Sequence, residues 1–309
     1  MALQGVACLL ASAPGSRAVA QRRPAGLRRR AILGAIAGAA ALAPVRATAA
    51  APRRIVSLTP CLDVLLADLA DPGQIRALSH YSRDPASSSL GAARARRFGV
   101  VYGGADEIAA LRPDLVLAGW RFSPQTLHAL RRLGVHVETY GAPDTIVDSL
   151  AQVRQVARAV GHPDRGEALV GRVRDAIARS APPPGARRLT AVMLQAQGFV
   201  AVRRTLMGEL MDIAGFENMA GRYGLVRSGE ISLEQLLADP PEVLLAGRRM
   251  PGQPAWSERV LEHPALRGLE GRTFRAELPQ QLTYCGGPVL IRTAAALARA
   301  RAQALAWRS

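Results

Sequence analysis

A thirteen-residue pattern occurs twice in this chain, and no other feature restricts its fold as much. Glu107-Ile-Ala-Ala-Leu-Arg-Pro-Asp-Leu-Val-Leu-Ala-Gly119 is matched 128 positions later by Gln235-Leu-Leu-Ala-Asp-Pro-Pro-Glu-Val-Leu-Leu-Ala-Gly247. The copies agree at Pro113/Pro241, Leu117/Leu245, Ala118/Ala246 and Gly119/Gly247, exchange Asp114 for Glu242, and each follows an acid, Asp106 or Glu234. Each reads as a short amphipathic helix stopped by proline, then an unbroken apolar run. A run without polar alternation suits a strand buried on both faces of a parallel sheet. Two copies therefore predict two similar α/β lobes.

The first fifty residues hold seven Arg and no Asp or Glu, and include an apolar stretch from Ala31 to Ala43. Thirteen residues fall short of the ~20 that a membrane-spanning helix needs. A basic region, a short hydrophobic core and the small residues Ala47-Thr48-Ala49 read as an export signal over residues 1–49. Arg29-Arg30-Ala31-Ile32-Leu33 fits a twin-arginine route, with ordinary secretion as the alternative. Cys8 precedes the hydrophobic core, so it is not a lipidation site. The mature chain is expected to be soluble in the periplasm.

All 40 cations of the chain are Arg, and they exceed the 24 acids. They are scattered over helices near acids, without the clustering and aromatic interleaving that nucleic acid requires, so no nucleic-acid partner is expected.

Further along, Arg54 to Thr59 reads as a buried strand and Pro60 opens a helix with Leu62, Leu65, Leu66 and Leu69 on one face. Ile75 to Ser79, Phe98 to Val101, the first repeat copy and Val135 to Thr139 supply further strands. Residues 50–145 thus form a first lobe. Residues 146–181 form a helical connector whose long helix runs from Pro163 to Ser180. Only Gly166 and Gly171 could soften it. Residues 182–309 form the second lobe, which ends in an Ala-rich helix starting near Pro288. The expected class is α/β, with two doubly wound, Rossmann-like lobes of parallel strands, one long joining helix and a ligand cleft between the lobes.

Ligands of such sheets sit beyond the carboxyl ends of the strands. That rule selects Thr59 to Cys61, Ser79 to Arg83, Gly119 to Phe122, Gln195 to Phe199, Gly247 to Arg249 and Tyr284 to Gly286. Within them the candidate ligand-binding residues are Cys61, His80, Tyr81, Arg83, Trp120, Phe122, Phe199, Arg248, Tyr284 and Cys285. Rings with guanidinium groups suit a bulky, partly anionic ligand. Any one ring can also simply pack beneath its own loop.

The sequence resembles a known family at this point. Arg54-Ile-Val-Ser-Leu-Thr-Pro60, the run from Asp106 to Val116, the long middle helix and Cys285-Gly-Gly-Pro288 look like the substrate-binding proteins of ABC importers for ferric siderophores, haem and vitamin B12. The likeness extends from Arg54 to the end of the chain. It implies a stiff helical hinge, a cleft holding a metal chelate, and acids on each lobe's rim that dock on arginines of a membrane permease. By position these acids are Asp106, with its neighbour Glu107, and Glu234. An acid in a helix's first turn is also favoured by the helix dipole alone. The metal chelate is cargo, so no resident cofactor, no metal site of the protein's own and no enzymatic activity are expected, and the protein should be monomeric. Members that bind B12 tend to line the cleft with several tryptophans. Trp120 and at most one more, Trp256, are on offer here, which shifts weight toward ferric siderophore or haem.

Two alternatives stand beside this reading. A binder of free Zn or Mn would gather several His and carboxylates, whereas of His80, His128, His136, His162 and His263 only His80 falls in a selected loop. An exported enzyme would use Cys61 as nucleophile with His80 as base. Cys61 and Cys285 themselves have three readings: bonded to each other, ligands of a metal, or free thiols in the core, the ordinary setting of a cysteine.

Overall fold

A computed structural model describes residues 50–194, 199–226, 229–247 and 263–309. In the first lobe, β1 (Ile55–Ser57), β2 (Ile75–Ser79), β3 (Gly99–Val101), β4 (Leu115–Gly119) and β5 (Val137–Tyr140) form a parallel sheet in the order β3-β2-β1-β4-β5. The connections carry α1 (Pro60–Leu69), α2 (Ala92–Ala95), α3 (Ala105–Ala110) and α4 (Pro124–Arg132). β1 ends sooner than its apolar run predicts because Thr59 already serves as the N-cap residue before Pro60. α4 also opens on a proline, and there the N-cap side chain takes part: the Ser123 hydroxyl accepts the Thr126 N–H at 3.2 Å ahead of Pro124.

The connector is a packed pair of helices, α5 (Ile146–Ala159) and α6 (Pro163–Ser180). Gly161, at φ +85°, turns the chain between them. Gly166 is not a soft point of α6: a β-carbon there would lie 2.5 Å from that of Ala157, so the glycine is where the two helices touch most closely. Arg154 of α5 and Glu167 of α6 pair across them at 2.8 Å.

The second lobe contains β6 (Leu189–Leu194), β7 (Phe199–Val200), α7 (Leu206–Ile213), β8 (Phe216–Asn218), β9 (Gly229–Glu230), α8 (Leu233–Ala238), β10 (Val243–Ala246), β11 (Phe274–Glu277) and α9 (Val289–Arg308). β8, β6, β10 and β11 lie parallel side by side and repeat the path β2-β1-β4-β5 of the first lobe. The repeat keeps its offset in three dimensions, since α3 and α8 start 128 residues apart, as do β4 and β10 (105 to 233, 115 to 243). The short strands β7 and β9 depart from the expected parallel arrangement. β7 runs antiparallel to β6 and β9 antiparallel to β7. Four residues separate β6 from β7, too few for the crossover that parallel neighbours need.

The lobes share buried apolar residues. One core runs from Ile55 and Leu65 through Val153 and Val173 to Met193, Leu245 and Leu297. A seam adds to it along the lead-in to α9. Cys61 and Cys285 form a disulfide that spans 224 residues of sequence and joins the start of α1 to the second lobe. This overturns the free-thiol and metal-ligand readings of both cysteines. Beside it, the Tyr284 hydroxyl donates to the Ala86 carbonyl (3.1 Å), Arg292 donates to that of Ser89 (2.9 Å), and the Gly287 N–H donates to the Ser149 hydroxyl (2.7 Å). Gly286 permits this approach, because a β-carbon there would lie 2.5 Å from the Ser149 oxygen.

Candidate functional site

The carboxyl ends of β1 to β5 open onto a cavity of about 420 Å³. Thr59, Cys61 and Leu62 at the start of α1 form its floor. His80 and Tyr81 come from the turn after β2, Tyr102 and Gly103 from the turn after β3, Trp120, Arg121 and Phe122 from the turn after β4, and Tyr140 and Gly141 from the end of β5. Gln152 of α5 closes one side. Apart from Gln152, these lining residues follow from strand direction, since parallel strands bring all their exits to one edge.

Two aromatic groups face this space. The His80 ring lies 3.9 Å from Tyr81, tilted by 36°, and 5.2 Å from Tyr102, nearly parallel at 14°. In the second group the Arg121 guanidinium lies 5.2 Å above the Trp120 ring, within cation–π range. Trp120 and Tyr102 are 59% and 76% exposed, so these rings are presented to the cavity mouth instead of being packed under their loops. Glycines allow the crowding beneath. A β-carbon on Gly119 would lie 3.1 Å from the Thr59 methyl, and one on Gly103, at φ +101°, would lie 2.9 Å from the Phe122 ring.

Behind the floor sits Asp63, wholly buried, accepting the Ser79 N–H at 3.1 Å and hydrogen bonds from the Ser79 and Ser57 hydroxyls. Burial pushes its carboxyl up to about 7, against the lowering effect of the serines. Burial also raises the Tyr140 hydroxyl well above the ordinary tyrosine range, reinforced by its hydrogen bond to Glu138.

Of the residues selected from sequence, Cys61, His80, Tyr81, Trp120 and Phe122 line the cavity. Arg83 does not: it is exposed, and its guanidinium donates to the Phe98 carbonyl at 3.3 Å, outside the lining. Tyr284 also lies outside the lining, engaged in the seam, where burial and then Asp84 push its hydroxyl up to about 12. Cys285 is buried behind Cys61 at 3% exposure. Its bond leaves Cys61 without the thiolate that a nucleophile requires. Arg248 lies outside the described residues, as do Trp256 and the side chain of Phe199. Tyr102, Tyr140 and Gln152 were missed. The after-strand rule reaches the two tyrosines once β3 and β5 are included, whereas Gln152 arrives through packing of α5, which no local signal reports.

Among the residues selected for docking, Asp106 and Glu234 are exposed in the first turns of α3 and α8. Glu107 is half-buried, and its Oε2 accepts the Tyr102 N–H at 2.9 Å. Among the described residues no three His, Cys, Asp or Glu side chains gather as metal ligands, and no helix is long and apolar enough to cross a membrane.

The fold is shared with solved structures. The periplasmic heme-binding protein RhuT from Roseiflexus sp. RS-1, in apo form, is similar with a TM-score of 0.64 and 24% identity, over 83% of this chain and 98% of that one. A periplasmic heme-binding protein from Pseudomonas aeruginosa is similar with a TM-score of 0.61 and 24% identity, over 81% of this chain and 92% of that one. The vitamin B12-binding protein BtuF of Vibrio cholerae is similar with a TM-score of 0.60 and 15% identity, over 82% and 98%. No curated protein matches in sequence. The periplasmic binding protein family matches residues 55–271, from β1 to just before β11 and well over half of the sequence, and the chain belongs to that family.

Proposed function

We propose that the protein captures a metal chelate in the periplasm and delivers it to the permease of an ABC importer, and that the chelate is a tetrapyrrole, haem first. The observation that carries this reading is that one cavity is lined by His80, Tyr81, Tyr102, Trp120 and Phe122, with the exposed Arg121 beside the Trp120 ring. Flat aromatic faces bury a flat macrocycle efficiently, and a guanidinium holds a carboxylate at the macrocycle's edge. His80 and the two tyrosines offer nitrogen and oxygen donors toward a metal at its centre. Similar structures whose names specify heme or vitamin B12 support the same class. A ferric siderophore is the runner-up, and its anionic oxygens call for more cations than the single Arg among the described lining residues. Delivery rests on Asp106 and Glu234, exposed at equivalent places in the two repeats, where acids can orient the lobes on a cationic partner.

Titration with hemin, cyanocobalamin and a ferric catecholate, followed by visible absorption and Trp fluorescence, tests the ligand class. Hemin is expected to saturate at one defined stoichiometry, and Trp120→Ala to weaken it about tenfold, the loss of roughly 1.4 kcal/mol of ring contact. Saturation by the catecholate with no hemin response removes the tetrapyrrole reading.

A further inference from the structure

We infer that Glu107 is a positioning residue of the pocket and not an acid of the docking rim: it holds the Tyr102 backbone so that the Tyr102 ring stands parallel to His80. The inference rests on the reading of the cavity as the ligand site.

The duplication supplies an internal control. Asp106 corresponds to Glu234 and Glu107 to Gln235, each 128 positions on. In the second lobe Gln235 closes a capping box on its own helix. Its Oε1 accepts the Ser232 N–H at 3.1 Å, while the Ser232 hydroxyl accepts the Gln235 N–H at 3.2 Å. In the first lobe the N-cap is Gly104, which has no side chain to reciprocate. Glu107 reaches past it to the N–H of Tyr102, two residues further out and on the cavity wall. The same helix position has been turned from local capping to holding a pocket loop.

That hold matters because little else fixes the ring. Tyr102 is 76% exposed, so packing does not place it, yet its plane lies within 14° of His80 at 5.2 Å. Its position depends on the backbone of Tyr102 and Gly103. Gly103 sits at φ +101° with no room for a β-carbon beneath Phe122, and a carboxylate accepting the neighbouring N–H is a strong anchor. The acid left for docking in this lobe is Asp106, whose counterpart Glu234 is likewise exposed.

The test combines amide exchange at Tyr102, read by NMR on ligand-free protein, with hemin titration. Glu107→Ala is expected to speed Tyr102 exchange about tenfold and weaken hemin about fivefold, the scale of one net hydrogen bond. Glu107→Gln, whose carbonyl still accepts, should stay within about twofold of wild type in both. Asp106→Ala should leave both unchanged. In a Tyr102→Ala background Glu107→Ala should alter hemin affinity by less than about twofold, because the effect runs through Tyr102. Wild-type Tyr102 exchange in Glu107→Ala overturns the positioning role, whatever hemin does. A fivefold loss that persists without the Tyr102 ring overturns its route. If wild type ignores hemin while Tyr102 exchange still responds to Glu107→Ala, the haem reading falls and the positioning role stands.

Discussion

Asp63 shows what a single residue contributes when its surroundings are all protein. Its carboxyl, buried under the cavity floor, titrates near 7 when folded and near the ordinary 3.8 when the chain is open. Between those values the unfolded chain gives up a proton that the folded chain keeps. Stability from this group is therefore fully present below about pH 4 and falls by several kcal/mol as pH rises toward 7. Asp71, Glu167 and Glu242 are shifted the other way, and the stability they contribute is lost only as pH falls below the ordinary carboxylate range. The informative comparison is thus differential: Asp63→Asn, still able to accept from Ser79, should gain stability relative to wild type between pH 4.5 and 7 in urea unfolding. Parallel curves for the two proteins would contradict a raised carboxyl. Nothing in Pro60-Cys61-Leu62-Asp63 announces this role. An acid in a helix's first turn reads locally as a dipole partner, and only the approach of β1 and β2 turns it into a buried hub for Ser57 and Ser79.

At the scale of elements, the lead-in to α9 belongs to the second lobe by sequence and to both lobes by contact. Its disulfide closes 224 residues, and cross-links over long loops restrict the unfolded chain most. Replacing both cysteines by serine should lower unfolding free energy by about 4 kcal/mol while leaving the far-ultraviolet circular dichroism unchanged. Equal urea midpoints for wild type with and without reductant would deny the cross-link that role. Gly286 and Gly287 show why the lead-in carries consecutive glycines. A β-carbon at either would meet Ser149 or Leu65 within 3 Å, and Gly287 also takes φ +66°. Composition marks such a pair as a turn; the neighbours that demand it lie far away in sequence, in α5 and α1.

At the scale of the whole molecule, a shared core, a helical pair and a covalent seam all resist separation of the lobes. Wide hinge closure needs connections that absorb large backbone changes, and α6 offers none at Gly166, which is locked against Ala157. Small-angle scattering should show the radius of gyration falling by less than about 1 Å on saturation with hemin, well below a hinge closure of the lobes. A fall of several ångströms would mean that the seam opens and closes with the ligand.

Local chemistry determined a good deal by itself. The unbroken apolar runs of β4 and β10, the proline stops before them, Ile75–Ser79 as a strand and Pro163–Ser180 as a helix were legible because periodicity, β-branching and capping act within a few residues. The duplication carried the lobe plan, and strand direction carried the edge at which Cys61, His80, Tyr81, Trp120 and Phe122 meet. Tertiary structure alone decided the rest: that Cys61 bonds Cys285, that Arg83 and Tyr284 spend their donors on backbone carbonyls away from the cavity, that Gln152 enters it, and that Glu107 holds Tyr102 while Gln235 caps its own helix. The physical reason is range. A side chain that can cap, pair or line a site has several partners of comparable strength within reach of its chemistry, and the packing of distant segments selects among them.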